Sequence, residues 1–494
     1  MHRTTSRRRL TRSAAAALAG CLWLARAVTA TEPLPPPQPV LDCETAAAMG
    51  LGHGGMAAGA AAVALSAASC ATGSCHGGPE AGNHAVQSFA ATLWATRDPH
   101  AKAAETLHAP RSRRMATLLG IGEPHRARQC LMCHSVQAEV VTALPPDIVA
   151  DGVSCGACHG DATRWLAVHQ LPAWKAMSPA DRSELGYRDL TEVASRVRSC
   201  IPCHVGDGSR EVGHDLIAAG HPRLAFEFSA YQRLWPRHWS PHGKTESRPD
   251  FSERSWAAGQ AETLAATARL LTVRTSRTAA EARTGGDVHG PDFAEFDCYA
   301  CHRALSPERV AAAAAGPFRN PAPGVPTWQP WSVSAARLVA LAIDDPAARS
   351  VGPAAAELRA VFGTRWADAD AERLERVAAK AAALEHAAVA TAAAIAAQET
   401  VVLDAQRDRI DATVAADGAE WRFWDAAAQV YLLMEAADDG GPARLGTTLS
   451  GGRAQEHTRD TLDALRASLR FPPGSGGPDR FDPVIFDRDR RAVP

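Results

Sequence analysis

In the second half of the chain, apolar residues recur at a spacing of three and four. Leu374, Val377, Ala381, Leu384, Ala388 and Ile395 fall on one helical face. The pattern predicts a long amphipathic helix running from Ala367 to Thr413. A second helix is predicted from Glu420 to Glu435, with Trp421, Trp424, Val430 and Leu432, and a third over 453–469. Nothing in this half has metal-ligand spacing, so it reads as helical scaffold or interaction surface. Earlier, the apolar stretches are short and the helix signals are caps. Asp98-Pro99 offers an Asp N-cap with Pro at the first helical position, and Ser178-Pro179 does the same. Glu211 to Ala219 reads as a helix stopped by Gly220 and Pro222. Sheet content is expected to be near nil. Residues 31–69 join a Pro-rich linker, with five prolines between Thr31 and Leu41, to an Ala/Gly-rich low-complexity segment. A Pro/Gly-rich loop at 315–330 marks off an α-helical C-terminal region, 331–494.

Residues 1–30 are expected to be a signal peptide. Arg3, Arg7, Arg8, Arg9 and Arg12 precede an apolar run from Ala14 to Ala25, and Val28-Thr29-Ala30 supplies small residues for cleavage before Thr31. Ser6-Arg7-Arg8-Arg9-Leu10 faintly resembles a twin-arginine signal. Leu18-Ala19-Gly20-Cys21 has the form of a bacterial lipobox, which would put a lipid anchor on Cys21; the alternative is that Cys21 is a small apolar residue of the signal core. Either way the mature chain is expected to be exported, to the periplasm or beyond.

Composition narrows the rest. Of 494 residues, 46% are hydrophobic, but Ala supplies much of this and aromatics are only 6%. Such a core needs many thin helices or a bulky non-protein component to fill it. Removing residues 1–30, with six arginines and no acids, takes the formal net charge from -2 to -8. An acidic chain argues against nucleic acid as a partner and favours a basic redox protein. After the first thirty residues no long, strongly apolar stretch appears, which excludes a polytopic membrane protein.

The chemistry lies in the cysteines. Cys130-Leu131-Met132-Cys133-His134, Cys155-Gly156-Ala157-Cys158-His159, Cys200-Ile201-Pro202-Cys203-His204 and Cys298-Tyr299-Ala300-Cys301-His302 repeat one pattern four times. Chance would supply on the order of 0.01 such motifs in a chain of this composition. Two thiols three residues apart can form thioethers to the two vinyl groups of one haem, with the next residue placed under the iron as an imidazole ligand. Zinc could use paired Cys-x-x-Cys units such as 130/133 and 155/158, but gives no reason for the histidine that follows each time. A disulfide framework suits the compartment and leaves the histidines equally unexplained.

A fifth site is widened: Cys70-Ala71-Thr72-Gly73-Ser74-Cys75-His76 has four residues between the cysteines. Gly73 is expected to help the longer loop bulge, and the Cys-His-Gly ending matches Cys158-His159-Gly160. The favoured reading is five covalently attached haems c, with proximal ligands His76, His134, His159, His204 and His302. A rival reading attaches the first haem through Cys75 alone and pairs Cys70 with Cys43. Methionines are few, so histidine is the expected sixth ligand, giving low-potential bis-histidine irons. His100, His169, His214 and His221 are the first candidates. His84 and His125 rank behind them, and His238, His242 and His289 behind those. Five irons against four candidates leaves room for one open haem, at Cys70/Cys75 or at Cys298/Cys301. Tyr299 is read as packing against its own porphyrin.

At Trp94 through Leu107 with Asp98-Pro99-His100-Ala101, at Gly152-Val153-Ser154-Cys155, at Ala219-Gly220-His221-Pro222-Arg223-Leu224 and at Phe296 through His302, the chain resembles the multihaem cytochrome c-554 family, within the hydroxylamine-oxidoreductase-like group. The resemblance covers residues 70–305. It implies an all-α fold wrapped around closely packed haems, with mainly bis-histidine irons, and distal or haem-pocket roles for His100, His169, His214 and His221. Five motifs, the first widened, depart from a four-haem pattern. Members of the family mostly carry electrons, while relatives in the wider group oxidise hydroxylamine or reduce nitrogen oxides. The function expected is therefore electron transfer outside the cytoplasm by a pentahaem domain at 70–305, between other redox proteins or a membrane quinol-oxidising complex. Two alternatives stay open: a haem oxidoreductase acting on a small nitrogen or sulfur compound at one open haem, and a structural or docking subunit of a redox complex. No Cys-x-x-Cys-Lys motif is present, which argues against the lysine-ligated type of nitrite reductase.

Overall fold

Helix Phe251–Arg283 runs through the middle of the molecule, and every residue from Glu253 to Ala268 is buried. A helix covered on all sides has no polar stripe to alternate with an apolar one, so the 3–4 periodicity that marks a surface helix is missing. Its charges are held by partners. Arg274 reaches Glu211 and Glu295, each at 2.7 Å, and Trp328 also donates to Glu295 at 2.9 Å. Arg254 donates to Asp250 at 2.8 Å and to the carbonyl of Ile395 at 2.7 Å.

The structure is a computed structural model that describes residues 65–80, 85–135, 149–240, 245–285, 290–298, 327–343, 345–363, 366, 370–401, 424–438, 460, 462–469, 486 and 488. All of these lie in one of the two compact units into which the chain divides, residues 62–494. The signal peptide, Cys21, Cys43, most of the linker segment, and Cys301 and His302 fall outside the described residues. In chain order the helices are α1 (Ala90–Arg97), α2 (Pro110–Leu119), α3 (Arg128–His134), α4 (Cys155–His159), α5 (Pro172–Ala176), α6 (Pro179–Glu184), α7 (Val193–His204), α8 (His214–Ala219) and α9 (Phe228–Leu234). The central helix is α10, followed by α11 (Pro330–Ala342), α12 (Pro346–Arg349), α13 (Val351–Phe362), α14 (Ala371–Ala397) and α15 (Trp424–Asp438). Short 3-10 turns join the earlier helices. Among the described residues there is no sheet, only two isolated bridges, Gly160 with Tyr187 and Phe296 with Trp328. The fold is all-α, as the sequence predicts.

The caps form where they are expected. Asp98 caps a 3-10 turn, Pro99–Lys102, and Ser178 makes a full capping box with Asp181 at the start of α6. Three boundaries differ. The simplest is the end of α15, which runs on to Asp438 beyond the expected Glu435. The helix expected over 211–219 begins at His214, because Glu211 is drawn aside to Arg274 and Arg277. The helix expected from Ala367 to Thr413 is the shorter α14: Asp370 caps its start, and its end is fixed where Gln398 turns extended and Val401 donates to Asp250 at 2.8 Å.

Packing joins the cysteine-bearing half to the C-terminal helices. α10 lies along α14 and also meets α7, α9, α11 and α15. One hydrophobic core runs from Val193 and Val197 on α7 through Trp256, Leu264 and Leu271 on α10 to Leu358, Leu384, Ile395 and Leu465. Burying a side chain of this kind is worth about 1.5–3 kcal/mol. α7, which ends in a Cys-x-x-Cys-His motif, is thereby anchored to the largest hydrophobic core among the described residues. No helix of the described residues is long and apolar enough to cross a membrane.

Candidate metal centres

Three of the motifs sit at the C-terminal ends of helices α3, α4 and α7. On a helix, residues three and four apart share a face, so Cys130, Cys133 and His134 project to one side, as do the matching triples at 155–159 and 200–204. The helix turns the sequence spacing into one platform carrying two sulfurs and an imidazole.

The widened motif reaches a similar end without a helix. Cys70 closes the 3-10 turn Ala67–Ser69, the chain folds over Thr72–Cys75, and the His76 N–H bonds the Cys70 carbonyl at 3.2 Å. The glycine this geometry requires is Gly77 and not Gly73. A Cβ on Gly77 would lie 1.9 Å from the Ala71 carbonyl oxygen, whereas one on Gly73 would meet nothing within 4 Å. Gly160, after His159, is equally constrained: its Cβ would lie 2.1 Å from the Gly186 carbonyl oxygen. The shared Cys-His-Gly ending thus has one physical reason in both places.

Each of the four described motif histidines faces a second histidine. Ring centroids are 6.2 Å apart for His76 and His169, 6.4 Å for His134 and His221, 6.3 Å for His159 and His238, and 6.1 Å for His204 and His100. Two imidazoles that ligate one metal from opposite sides, through bonds of about 2.0–2.1 Å, place their centroids roughly 6.3 Å apart. The ring planes are close to parallel in the first pair, at 24°, and steeply crossed in the others, at 88°, 75° and 84°.

The outer ring nitrogen is occupied in five of these eight rings, whereas that of His238 is buried without a hydrogen-bond partner. Nδ1 lies 2.6 Å from the Gln87 carbonyl in His76, 2.6 Å from the Leu166 carbonyl in His169 and 2.7 Å from the Pro222 carbonyl in His221. His134 Nδ1 lies 2.9 Å from the Ala103 carbonyl. Donating Nδ1–H to a carbonyl fixes the tautomer and leaves Nε2 with a free lone pair. His100 differs, because its Nδ1 meets a carboxylate, Asp98 Oδ1, at 2.9 Å. Burial pushes His159 and His204 down to about 4 and lowers His221 and His238 as well. At neutral pH these four rings are uncharged, the form a metal binds.

Three of the four leading candidates, His100, His169 and His221, therefore stand opposite motif histidines. His214 stands opposite none of the four described ones. Its N–H is capped by Asp292 at 2.9 Å and its ring lies against Phe293, close in sequence to Cys298. His125 stacks on His108 at 4.5 Å, too close to admit a metal between the rings. His84, His242 and His289 lie outside the described residues. His238, ranked low from sequence, faces His159. The overlooked signal is Trp235-Pro236-Arg237-His238-Trp239, in which both tryptophans pack edge-on against the His238 ring, at 6.0 and 5.1 Å. With the first motif histidine facing His169, the pairing gives no support to an open iron at Cys70/Cys75.

The sites adjoin one another. Cys70 is within hydrogen-bonding reach of Cys155, and Cys133 of Cys203. Trp235 lies between His238 and His100, 6.0 Å from the first and 6.2 Å from the second. The pairs thus follow one another in the order 76/169, 159/238, 204/100, 134/221, which is not their order in the chain. Beside Cys298, Arg223 donates to Asp425 of α15 at 2.9 Å and approaches the Cys298 sulfur at 3.7 Å, so the C-terminal region reaches the fifth motif. The four-thiolate zinc alternative finds no footing: among the described residues no three His, Cys or acidic side chains cluster to hold a metal ion.

Residues 69–160 match the family described as cytochrome c554 and c-prime. The matched stretch holds the first three motifs and His100. Over that stretch the chain is similar to c-type cytochromes, a class that works in electron transfer and carries covalently bound haem c. No curated protein matches the chain, and no solved structure does.

Proposed function

We propose that this is an exported pentahaem c-type cytochrome that carries electrons through irons each closed by two histidines, with no substrate of its own. The observation that carries the reading is the set of four facing pairs at 6.1–6.4 Å. A metal held by just two imidazoles on opposite sides needs its remaining ligands from a planar group, and the cysteines beside each motif histidine suit thioether attachment of that group. When bound, haem supplies a one-electron iron couple.

The residues divide the work. Cys70, Cys75, Cys130, Cys133, Cys155, Cys158, Cys200, Cys203, Cys298 and Cys301 attach the five haems. His76, His134, His159, His204 and His302 are proximal ligands, and His169, His221, His238 and His100 close the first four irons. His214 is assigned to the iron of His302, supported by the Asp292 link that ties its helix to the segment entering Cys298. Backbone carbonyls on Nδ1 orient His76, His134, His169 and His221. The α10 core anchors α7, so the 204/100 site keeps a fixed place between its neighbours.

Residues 1–30 direct export, and the acidic mature surface suits a basic redox protein as partner. The deciding assay supplies artificial donors and acceptors with hydroxylamine, nitrite, nitric oxide or sulfite. Rapid reversible redox exchange without turnover supports a carrier, and sustained turnover of any of the four overturns it.

A further inference from the structure

Asp98 sits where two of the histidine pairs meet. Its carboxylate is 4% exposed and accepts three hydrogen bonds: from the His100 backbone N–H at 3.0 Å, from His100 Nδ1 at 2.9 Å and from Trp235 Nε1 at 2.8 Å. Trp235 is the ring between His100 and His238. Pro99 and the N-cap geometry fix the turn from Asp98 to His100, and the His100 carbonyl is held by the Val153 N–H at 3.0 Å. The backbone that carries the carboxylate and the imidazole is thus held in place on both sides.

We infer that Asp98 is a positioning residue that gives His100 anionic character and so lowers the reduction potential of the iron between His100 and His204. The inference rests on the ligand assignment proposed above. A carboxylate on Nδ1–H draws the proton towards itself and pushes electron density onto Nε2. A more basic axial ligand favours the more positively charged ferric iron. Burial keeps water from screening the charge. His169 and His221 have only neutral carbonyls at the same nitrogen. The Trp235 N–H takes a share of the carboxylate's charge and moderates the effect.

The test is a spectroelectrochemical titration of the haem-loaded protein. His100→Ala first identifies the haem concerned, as the one that turns high-spin. Asp98→Asn is expected to raise the ferrous-to-ferric ratio of that one haem about tenfold at a fixed potential, equivalent to about 59 mV for a one-electron couple. The other haems stay near their parent values and all irons stay low-spin. Trp235→Phe, which leaves the charge in place and removes its competing donor, shifts the same haem the opposite way. Unchanged potentials in Asp98→Asn, or an equal shift of every haem, would overturn the inference while leaving the ligand assignment standing. If Asp98→Asn does not assemble, Trp235→Phe decides by its sign: no shift, or an upward one, rejects the proposal. If His100→Ala leaves every iron low-spin, the ligand assignment has failed instead.

Discussion

His159 and His238 face each other with ring centroids 6.3 Å apart and planes crossed at 75°, although a long stretch of chain separates them. Both are half-buried, and desolvation lowers both from the usual imidazole value. His238→Ala should therefore turn one iron high-spin with all haems still attached, and His169→Ala and His221→Ala should each do the same at another iron. His108→Ala and His125→Ala should leave the low-spin spectrum as it is, because those rings stack on each other. Visible and magnetic circular dichroism spectra of the five variants check this.

The ring-plane angles carry their own prediction. Parallel imidazoles raise one iron dπ orbital above its partner, whereas crossed imidazoles act on both alike and leave them nearly degenerate. In the oxidised protein the four described pairs should give one ordinary rhombic low-spin signal, from the pair at 24°, and three highly anisotropic ones, from the pairs at 75°, 84° and 88°, beside the signal of the His302 iron. His169→Ala should remove the rhombic signal of the 76/169 pair. Electron paramagnetic resonance at low temperature reads both results.

For the widened motif, intact mass should exceed the mature polypeptide by five haem masses. An excess of four, with Cys70 joined to Cys43 on peptide mapping, would favour the rival reading. Gly77→Ala forces a Cβ into a backbone carbonyl and should cost about 1–3 kcal/mol, with loss of haem at that site. Gly73→Ala faces open space and should stay within about 0.5 kcal/mol. Haem content by mass and thermal unfolding distinguish the two.

Asp250 ties the start of α10 to the segment after α14. Burial works to raise its carboxyl, but Arg248, the Val401 N–H and Arg254 outweigh this and hold it at about 2. A folded value below the ordinary one contributes stability that is present above the ordinary carboxylate range and lost as pH falls through the folded value. That window runs from about pH 4 to about pH 2. Asp250→Asn should cost about 1–2 kcal/mol at pH 7 and flatten the pH dependence in the window. Denaturant unfolding at pH 7 and pH 3 measures both effects.

Much of the site was legible because its marks are local. Cys-x-x-Cys-His needs only one helical turn to form its platform, and Asp98-Pro99 and Ser178-Pro179 set their own caps. The opposite ligands are set by tertiary packing, so His238 could not be ranked by spacing from His159. Its flanking tryptophans were the available clue. The amphipathic α14 showed itself because one face meets solvent, while α10, the element that organises the core, showed nothing because it has no such face. His214 begins α8, within the span the sequence marks as helical, yet faces none of the four described motif histidines.

The central claim is that paired histidines close the irons, and carbon monoxide tests it most directly, since ferrous haem binds it only at an open or weakly held position. With the protein fully reduced, a carbon monoxide titration should show no haem binding, since two histidines are assigned to each of the five irons. Binding at any haem of the unmodified protein would contradict the account.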